Sequence, residues 1–203
     1  MPSMDMEHSL EASYRARRTP AWVGPPSGQF LMVDGRGDPN TVPEYAASIG
    51  ALYPLAYGLR FALKRAGTVD AKVLPLEGLW SLADGRHHWA AADRAAWCWT
   101  MMIRVPDQVT AELLEQVREQ AGRKADVSPR LADVRLDRYH EGLCAQVLHV
   151  GPYDQEGPTI EGLHAFIEAA GRHLSGDHHE IYLSDPGRTA PERLRTILRQ
   201  PVR

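Results

Sequence analysis

Apolar and polar positions along the chain form two similar runs. Phe30 to Val33 are apolar and lead through Gly35 and Gly37 to Asp38; a helical pattern follows and ends near Gly67. Ala145 to Val150 are again apolar, lead through Gly151 to Asp154, and precede a second helical pattern that ends near Gly171. A strand, a glycine turn and a helix stated twice predict two similar halves with a groove between them, the first copy carrying an insertion. In the first copy Tyr45, Ile49, Leu52, Ala56, Leu59 and Leu63 recur at spacings of four and three, the stripe of an amphipathic helix over residues 42–66. Thr41 with Glu44 has the spacing of a capping box, and Pro54 inside the stripe predicts a break into two helical pieces.

Further along, residues 71–82 and 96–105 read as strands separated by a polar loop that contains Gly85 and the pair His87 and His88. Residues 107–121 read as a helix with Val109, Leu113 and Val117 in register and Gly122 as its stop. Strands are expected over 133–139, 142–150 and 179–183. A helix carrying Ile160, Leu163, Phe166, Ile167, Ala170 and Leu174, with Pro158 in its first turn, lies between the last two. Thr189 with Glu192 predicts a capped final helix reaching Gln200 and Pro201. Residues 1–27, polar and Pro-rich, read as an extended arm without chemistry. The expected organisation is this arm and one domain over 28–203, with half-repeats over about 28–122 and 130–203.

Composition narrows the function. An apolar content of 43% and a formal charge of −3 describe an ordinary globular chain able to bury a core. Its cations are scattered, so no direct nucleic-acid binding is expected. No apolar run reaches the ~18 residues of a membrane span, and the N-terminus has no apolar signal core, so no membrane association is expected and the cytoplasm is the expected compartment. Cys98 and Cys144 sit in apolar segments without a CxxC motif and read as buried thiols. Adjacent histidines on a strand face opposite ways, so neither His87 with His88 nor His178 with His179 chelates as a unit; no metal and no cofactor are expected. GxGxxG, Walker and GxSxG patterns are absent.

The candidate chemistry is aromatic and acidic. Trp97, Trp99, Met101 and Ile103 share one strand face, and four of the five tryptophans, Trp80 and Trp89 included, fall between residues 80 and 99. Such a surface either fills the core or stacks a planar ligand. In the segment H178HEIYLSDP186, Ile181 and Leu183 take one face and leave Glu180 and Tyr182 on the other, where a desolvated carboxylate could remove a proton from water. Tyr53 and Tyr57, one helical turn apart, could turn both hydroxyls to one cavity. Glu77 and His149 complete the ligand-binding candidates.

The segments P75LEGLW80, W99TMMIRVPD107, L143CAQVLHVGPYDQEGPTI160 and H178HEIYLSDPGRTAPERLRTILRQPV202 resemble stand-alone GyrI-like small-molecule-binding proteins. The resemblance runs from about residue 30 to the end. It implies an α+β fold of duplicated βαββ units with pseudo-two-fold symmetry, whose antiparallel sheets form a ligand cleft between the halves. Related domains sense cationic aromatic drugs in transcription regulators; no helix-turn-helix precedes this domain, so regulation by the chain alone is not expected. A subset of the family hydrolyses cyclopropane-bearing genotoxic compounds. That likeness implies Glu180 as base, Tyr53 or Tyr57 as donor to the ligand oxygen, and Trp97 and Trp99 as walls. The partner expected is a hydrophobic aromatic small molecule. Drug sequestration without turnover, effector binding and modulation of a DNA topoisomerase are the alternatives.

Overall fold

The computed structural model describes residues 9–83, 93–123 and 125–203. Gly85, His87, His88 and Trp89, singled out from sequence, lie outside the described residues. The fold is mixed α/β, with helices α1 (Leu10–Ser13), α2 (Pro43–Arg65), α3 (Ala111–Gly122) and α4 (Gly157–Ala169). The strands are β1 (Ala21–Val23), β2 (Gly28–Arg36), β3 (Leu76–Leu82), β4 (Trp97–Val105), β5 (Arg135–Tyr139), β6 (Cys144–Val150), β7 (His178–Tyr182) and β8 (Arg195–Pro201). Two compact units divide the chain, one drawn from 28–76 and 93–139, the other from 1–27, 77–92 and 140–203. No helix among the described residues is long and apolar enough to cross a membrane.

In the unit of residues 28–76 and 93–139, β2 lies between β4 and β5 and pairs antiparallel with both; Leu31 stands opposite Ile103 on one side and Leu136 on the other. α2 packs on β2, β4 and α3. Its buried face is Ser48, Ala51, Leu52, Leu55, Ala56, Leu59 and Leu63, so the apolar stripe expected from sequence does enter the core. Gly58 lies close against Val117 of α3, where a Cβ would collide with the valine, and this lets the two helices approach.

Two local expectations about α2 are corrected. Pro54 lies inside one continuous helix and does not divide it. Both Pro54 and Gly50, whose carbonyl loses its usual i+4 donor, are exposed, so water can satisfy that group without a break. Thr41 does not cap: Val42 occupies the N-cap without a side-chain bond, and Pro43 begins the helix. At the other end Thr68 N–H reaches the Leu63 carbonyl at 3.1 Å, with Gly67 at φ 68°. The next helix starts later than expected, at Ala111, because Thr110 caps it through Leu113 N–H at 3.2 Å. Val109 is buried ahead of that helix rather than in its stripe, which is formed by Leu114, Val117 and Ala121.

In the other unit the strand order is β1-β6-β8-β7-β3, with β6 antiparallel to β1 and β8, and β7 antiparallel to β8. α4 covers β6 and β8 with Ile160, Leu163 and Ile167. It ends as α2 does: Arg172 N–H reaches the Ile167 carbonyl at 3.2 Å, and Gly171 takes φ 70°. The final helix expected from Thr189 and Glu192 is instead β8. Pro191–Arg193 forms one 3₁₀ turn, after which residues 195–201 run extended between β6 and β7, with Thr196 to Pro201 all buried.

The N-terminal segment is also corrected. It contains α1, capped by Ser9, whose side chain accepts from Ala12 N–H at 3.1 Å. Its strand β1 pairs with β6, Leu148 N–H donates to the Arg17 carbonyl at 2.7 Å, and Trp22 lies 5.0 Å from the ring of Phe166 on α4. Of the two free thiols, Cys144 is buried, which pushes its ionisation up; Cys98 is only half-buried.

Candidate functional site

Of the sequence-derived candidates, Glu77, Trp80, His149, Glu180 and Tyr182 fall in the unit that contains β6, β7 and β8. Tyr53, Tyr57, Trp97, Trp99 and Met101 fall in the one that contains α2 and β4.

On α2, Tyr53 and Tyr57 stack with ring centroids 6.3 Å apart, and Tyr57 is 48% exposed. Trp99 and Met101 are buried in their own unit. The indole of Trp99 lies against Gly35, its partner across β2 and β4, with Tyr45 edge-on at 5.3 Å and the Arg130 guanidinium 5.9 Å from the ring. This explains Gly35: a side chain there would strike the indole. Trp97, half-buried, faces the Arg94 guanidinium at 5.4 Å.

Both faces of β7 are buried. His178, His179, Glu180 and Ile181 are each at most 6% exposed, so Glu180 is a core carboxylate rather than an open-face one. Tyr182 donates its hydroxyl to Glu180 Oε2 at 2.8 Å, and Trp80 Nε1 of β3 donates to that same hydroxyl oxygen at 3.1 Å. His178 Nε2 is 3.7 Å from Glu180 Oε1. Tyr153 meets the Tyr182 ring edge-on at 5.7 Å and is 39% exposed. Burial raises the proton affinity of Glu180, opposed by the Tyr182 hydrogen bond and by the His179 charge.

Glu156, which no sequence signal marked, completes this group. It immediately precedes α4, and its carbonyl accepts from Thr159 N–H at 2.9 Å and Ile160 N–H at 3.0 Å. Its side chain turns inward, 3% exposed, within hydrogen-bonding reach of Glu180 and Thr196. Burial and then the charge of Glu180 raise its proton affinity far above the usual carboxyl range. His149 on β6 is 3.0 Å from Thr159 Oγ1 through Nδ1 and 3.3 Å from the Pro152 carbonyl through Nε2. It buttresses the turn that carries Glu156.

A second buried network stands beside the first. His179 lies between Glu77 Oε2 at 2.9 Å and Glu141 Oε1 at 2.8 Å, and Glu141 Oε2 also meets Arg199 Nη1 at 3.0 Å. Arg199 Nε donates to Gln146 Oε1 at 3.1 Å, and its Nη2 donates to the Ser13 carbonyl. Tyr14 closes the set by donating to Glu77 Oε1 at 2.6 Å. Burial alone would raise Glu141, yet the His179 and Arg199 charges hold it at about 2. Burial would likewise lower His179, but Glu141 and Glu77 lift it to about 9. For His178 burial prevails; with His164 and His179 nearby it is depressed to about 3 and stays neutral. Glu77 thus meets Tyr14 through one oxygen and His179 through the other. Among the described residues no group of three or more His, Cys, Asp or Glu is arranged to hold a metal ion.

Antiparallel strands backed by helices, with a buried carboxyl pair and aromatic side chains beside it inside one unit, define a mixed α/β domain. The sequence matches the GyrI-like small molecule binding domain over residues 26–203, and the chain belongs to that family. A crystal structure of an uncharacterized conserved protein from Listeria innocua is 40% identical, with a TM-score of 0.86 over 95% of this chain and 96% of that one. A hydrolase from Listeria innocua is 39% identical, with a TM-score of 0.81 and the same coverage of both chains. The EcmrR C-terminal domain, 12% identical with a TM-score of 0.54 over 91% of this chain and 97% of that one, shares the fold. No curated protein matches.

Proposed function

We propose that this protein binds planar, hydrophobic aromatic molecules in the cytoplasm and hydrolyses those that carry a strained cyclopropane ring, with Glu180 as the base. The observation that carries the reading is the Glu180 carboxylate, removed from bulk water, raised in proton affinity, and oriented by Tyr182 and Trp80. The 39% identity to a Listeria innocua hydrolase supports turnover over binding alone.

In a cyclopropane conjugated to a dienone, water attacks a ring carbon. The carbon–oxygen bond forms as the ring carbon–carbon bond breaks, and the electron pair travels to the carbonyl oxygen. Glu180 takes the proton released by the water, and the new phenolate takes up a proton, so that the sum is addition of one water. A base held out of bulk water, with its oxygens fixed, performs this step better than an exposed carboxylate. Tyr153 and Tyr182 offer aromatic edges beside it.

Mass measurement after incubation with a cyclopropane-bearing alkylator tests the reading. Product heavier by one water, formed over many turnovers, is expected from the wild type; Glu180→Gln should lower kcat by about 100- to 10,000-fold, the worth of a general base, while ligand affinity is retained. Turnover unchanged in that variant removes Glu180 from the mechanism. Stoichiometric uptake of unaltered ligand assigns the protein to sequestration.

A further inference from the structure

Glu156 is out of place by ordinary rules. A carboxylate at the start of a helix gains from the helix dipole while keeping its water, yet this one is folded into the interior beside a second carboxylate. Two carboxylates in hydrogen-bond reach cannot both ionise without a cation between them. The nearby cations are already engaged. His179 is held between Glu77 and Glu141, and Arg199 meets Glu141, Gln146 and the Ser13 carbonyl. With two carboxylates facing one imidazolium and one guanidinium, that network is neutral as a whole, and the pull of the His179 charge falls on Glu180 rather than on Glu156. His178, 3.7 Å from Glu180, is neutral. Around the pair also stand Tyr182 of β7, Trp80 of β3, Tyr153 of the preceding turn and Thr196 of β8.

The donors are unequally shared. Glu180 Oε2 accepts from Tyr182, which is itself fixed by Trp80, whereas Glu156 has the Thr196 hydroxyl within reach of its carboxyl and its Oε1 is buried with no hydrogen-bond partner. Donors favour the charged form of the carboxyl they reach.

We infer that Glu156 and Glu180 share a single proton, that it resides on Glu156, and that Glu156 thereby acts as the positioning residue that keeps Glu180 anionic. Glu156 works through Glu180: as a neutral acid it donates a hydrogen bond that moderates the basicity burial imposes on its neighbour. The consequence for catalysis rests on the hydrolytic reading above; the shared proton does not.

Difference infrared spectroscopy at mildly alkaline pH reads the proton directly. The wild type should show the carbonyl band of a neutral buried carboxyl, lost in Glu156→Gln and kept in Glu156→Asp. A wild type without the band, or a band undiminished in Glu156→Gln, overturns the assignment. Unfolding measurements give an independent reading. Glu156→Gln should stand closest to the wild type near pH 4 and gain on it steadily from there to about pH 10, because a carboxyl that folding lifts from 4.5 to about 10 costs stability over the window in which the unfolded chain is ionised and the folded one still holds its proton. A gap between the two proteins that stays constant from about pH 5 to about pH 9 would mean that Glu156 is natively an anion. With a cyclopropane-bearing substrate, Glu156→Ala should move the acid limb of kcat/KM upward by about one pH unit, and Glu156→Gln, which retains a donor, should restore it. If no variant turns over, the hydrolytic reading fails while the infrared and unfolding data still decide the proton.

Discussion

Replacing His179 by Gln tests the electrostatics of the unit built on β6, β7 and β8 at its centre. The imidazole is 1% exposed, with one nitrogen 2.9 Å from Glu77 and the other 2.8 Å from Glu141. Glutamine fills similar space and can still hydrogen-bond a carboxylate, but it removes one positive charge and leaves two buried carboxylates with one guanidinium. Breaking a buried pair by removing one partner costs roughly 3–5 kcal/mol, and that is the expected loss near neutral pH. The pH dependence carries the sharper signature. Folding lifts His179 from 6.5 to about 9 against the cost of its burial, because Glu141 and Glu77 both favour the cation. Its contribution is therefore complete below about 6.5 and is lost as pH rises through about 9, a change of roughly 3 kcal/mol at most. Urea unfolding across this window, with the m-value checked for constancy, measures it. The variant should lose stability less steeply than the wild type over that range, keeping the loss that Glu156 imposes up to about pH 10. Stability curves for the two proteins that run parallel, however far apart, would refute the imidazolium clamp.

Two further substitutions probe other contacts. Tyr14→Phe deletes the 2.6 Å hydrogen bond to Glu77, and a bond to a charged acceptor is worth about 1.5–3 kcal/mol; the variant should be cleaved faster within residues 9–23 under limited proteolysis, and unchanged cleavage would show that β1 pairing alone holds the segment. Gly35→Ala places a methyl group against the Trp99 indole and should cost about 1–3 kcal/mol with a change in tryptophan fluorescence. A silent Gly35→Ala would mean that the indole does not cover β2.

The elements that were legible in the sequence are those whose burial follows their period. The Leu52, Ala56, Leu59 and Leu63 stripe of α2 enters the core, as do Ile160, Leu163 and Ile167 of α4, because each presents an apolar face to a sheet and a polar face to water. β8 broke that rule. Leu194, Ile197 and Leu198 have helical spacing, and Arg199 and Gln200 read as the polar face of a helix, yet both are buried, at 2% and 1% exposure. Arg199 is satisfied by Glu141, Gln146 and the Ser13 carbonyl, and Gln200 by the Ser175 carbonyl at 2.8 Å. A strand whose charged residue is neutralised by a glutamate 58 positions away leaves no local signal of burial. Pro54 misled for a simpler reason, since whether a proline breaks a helix depends on solvent access to the carbonyl behind it.

The same principle governs the candidate site. Glu180 and Tyr182 were readable because they alternate with apolar residues on a short strand and therefore share a direction. Glu156 was not readable, because its environment is supplied by β7 and β8 and not by its own neighbours in sequence. What separates the two carboxyl clusters is their charge balance. Glu77, His179, Glu141 and Arg199 pair anion with cation, which makes that cluster an internal brace tied through Tyr14 and Ser13 to the N-terminal segment. Among the described residues no cation pairs with Glu156 and Glu180 as Arg199 does with Glu141, so the pair keeps a proton and the capacity to exchange it. Similar residues buried in one unit thus serve opposite ends: where charges cancel, the chain is braced, and where they do not, a proton is left to work with.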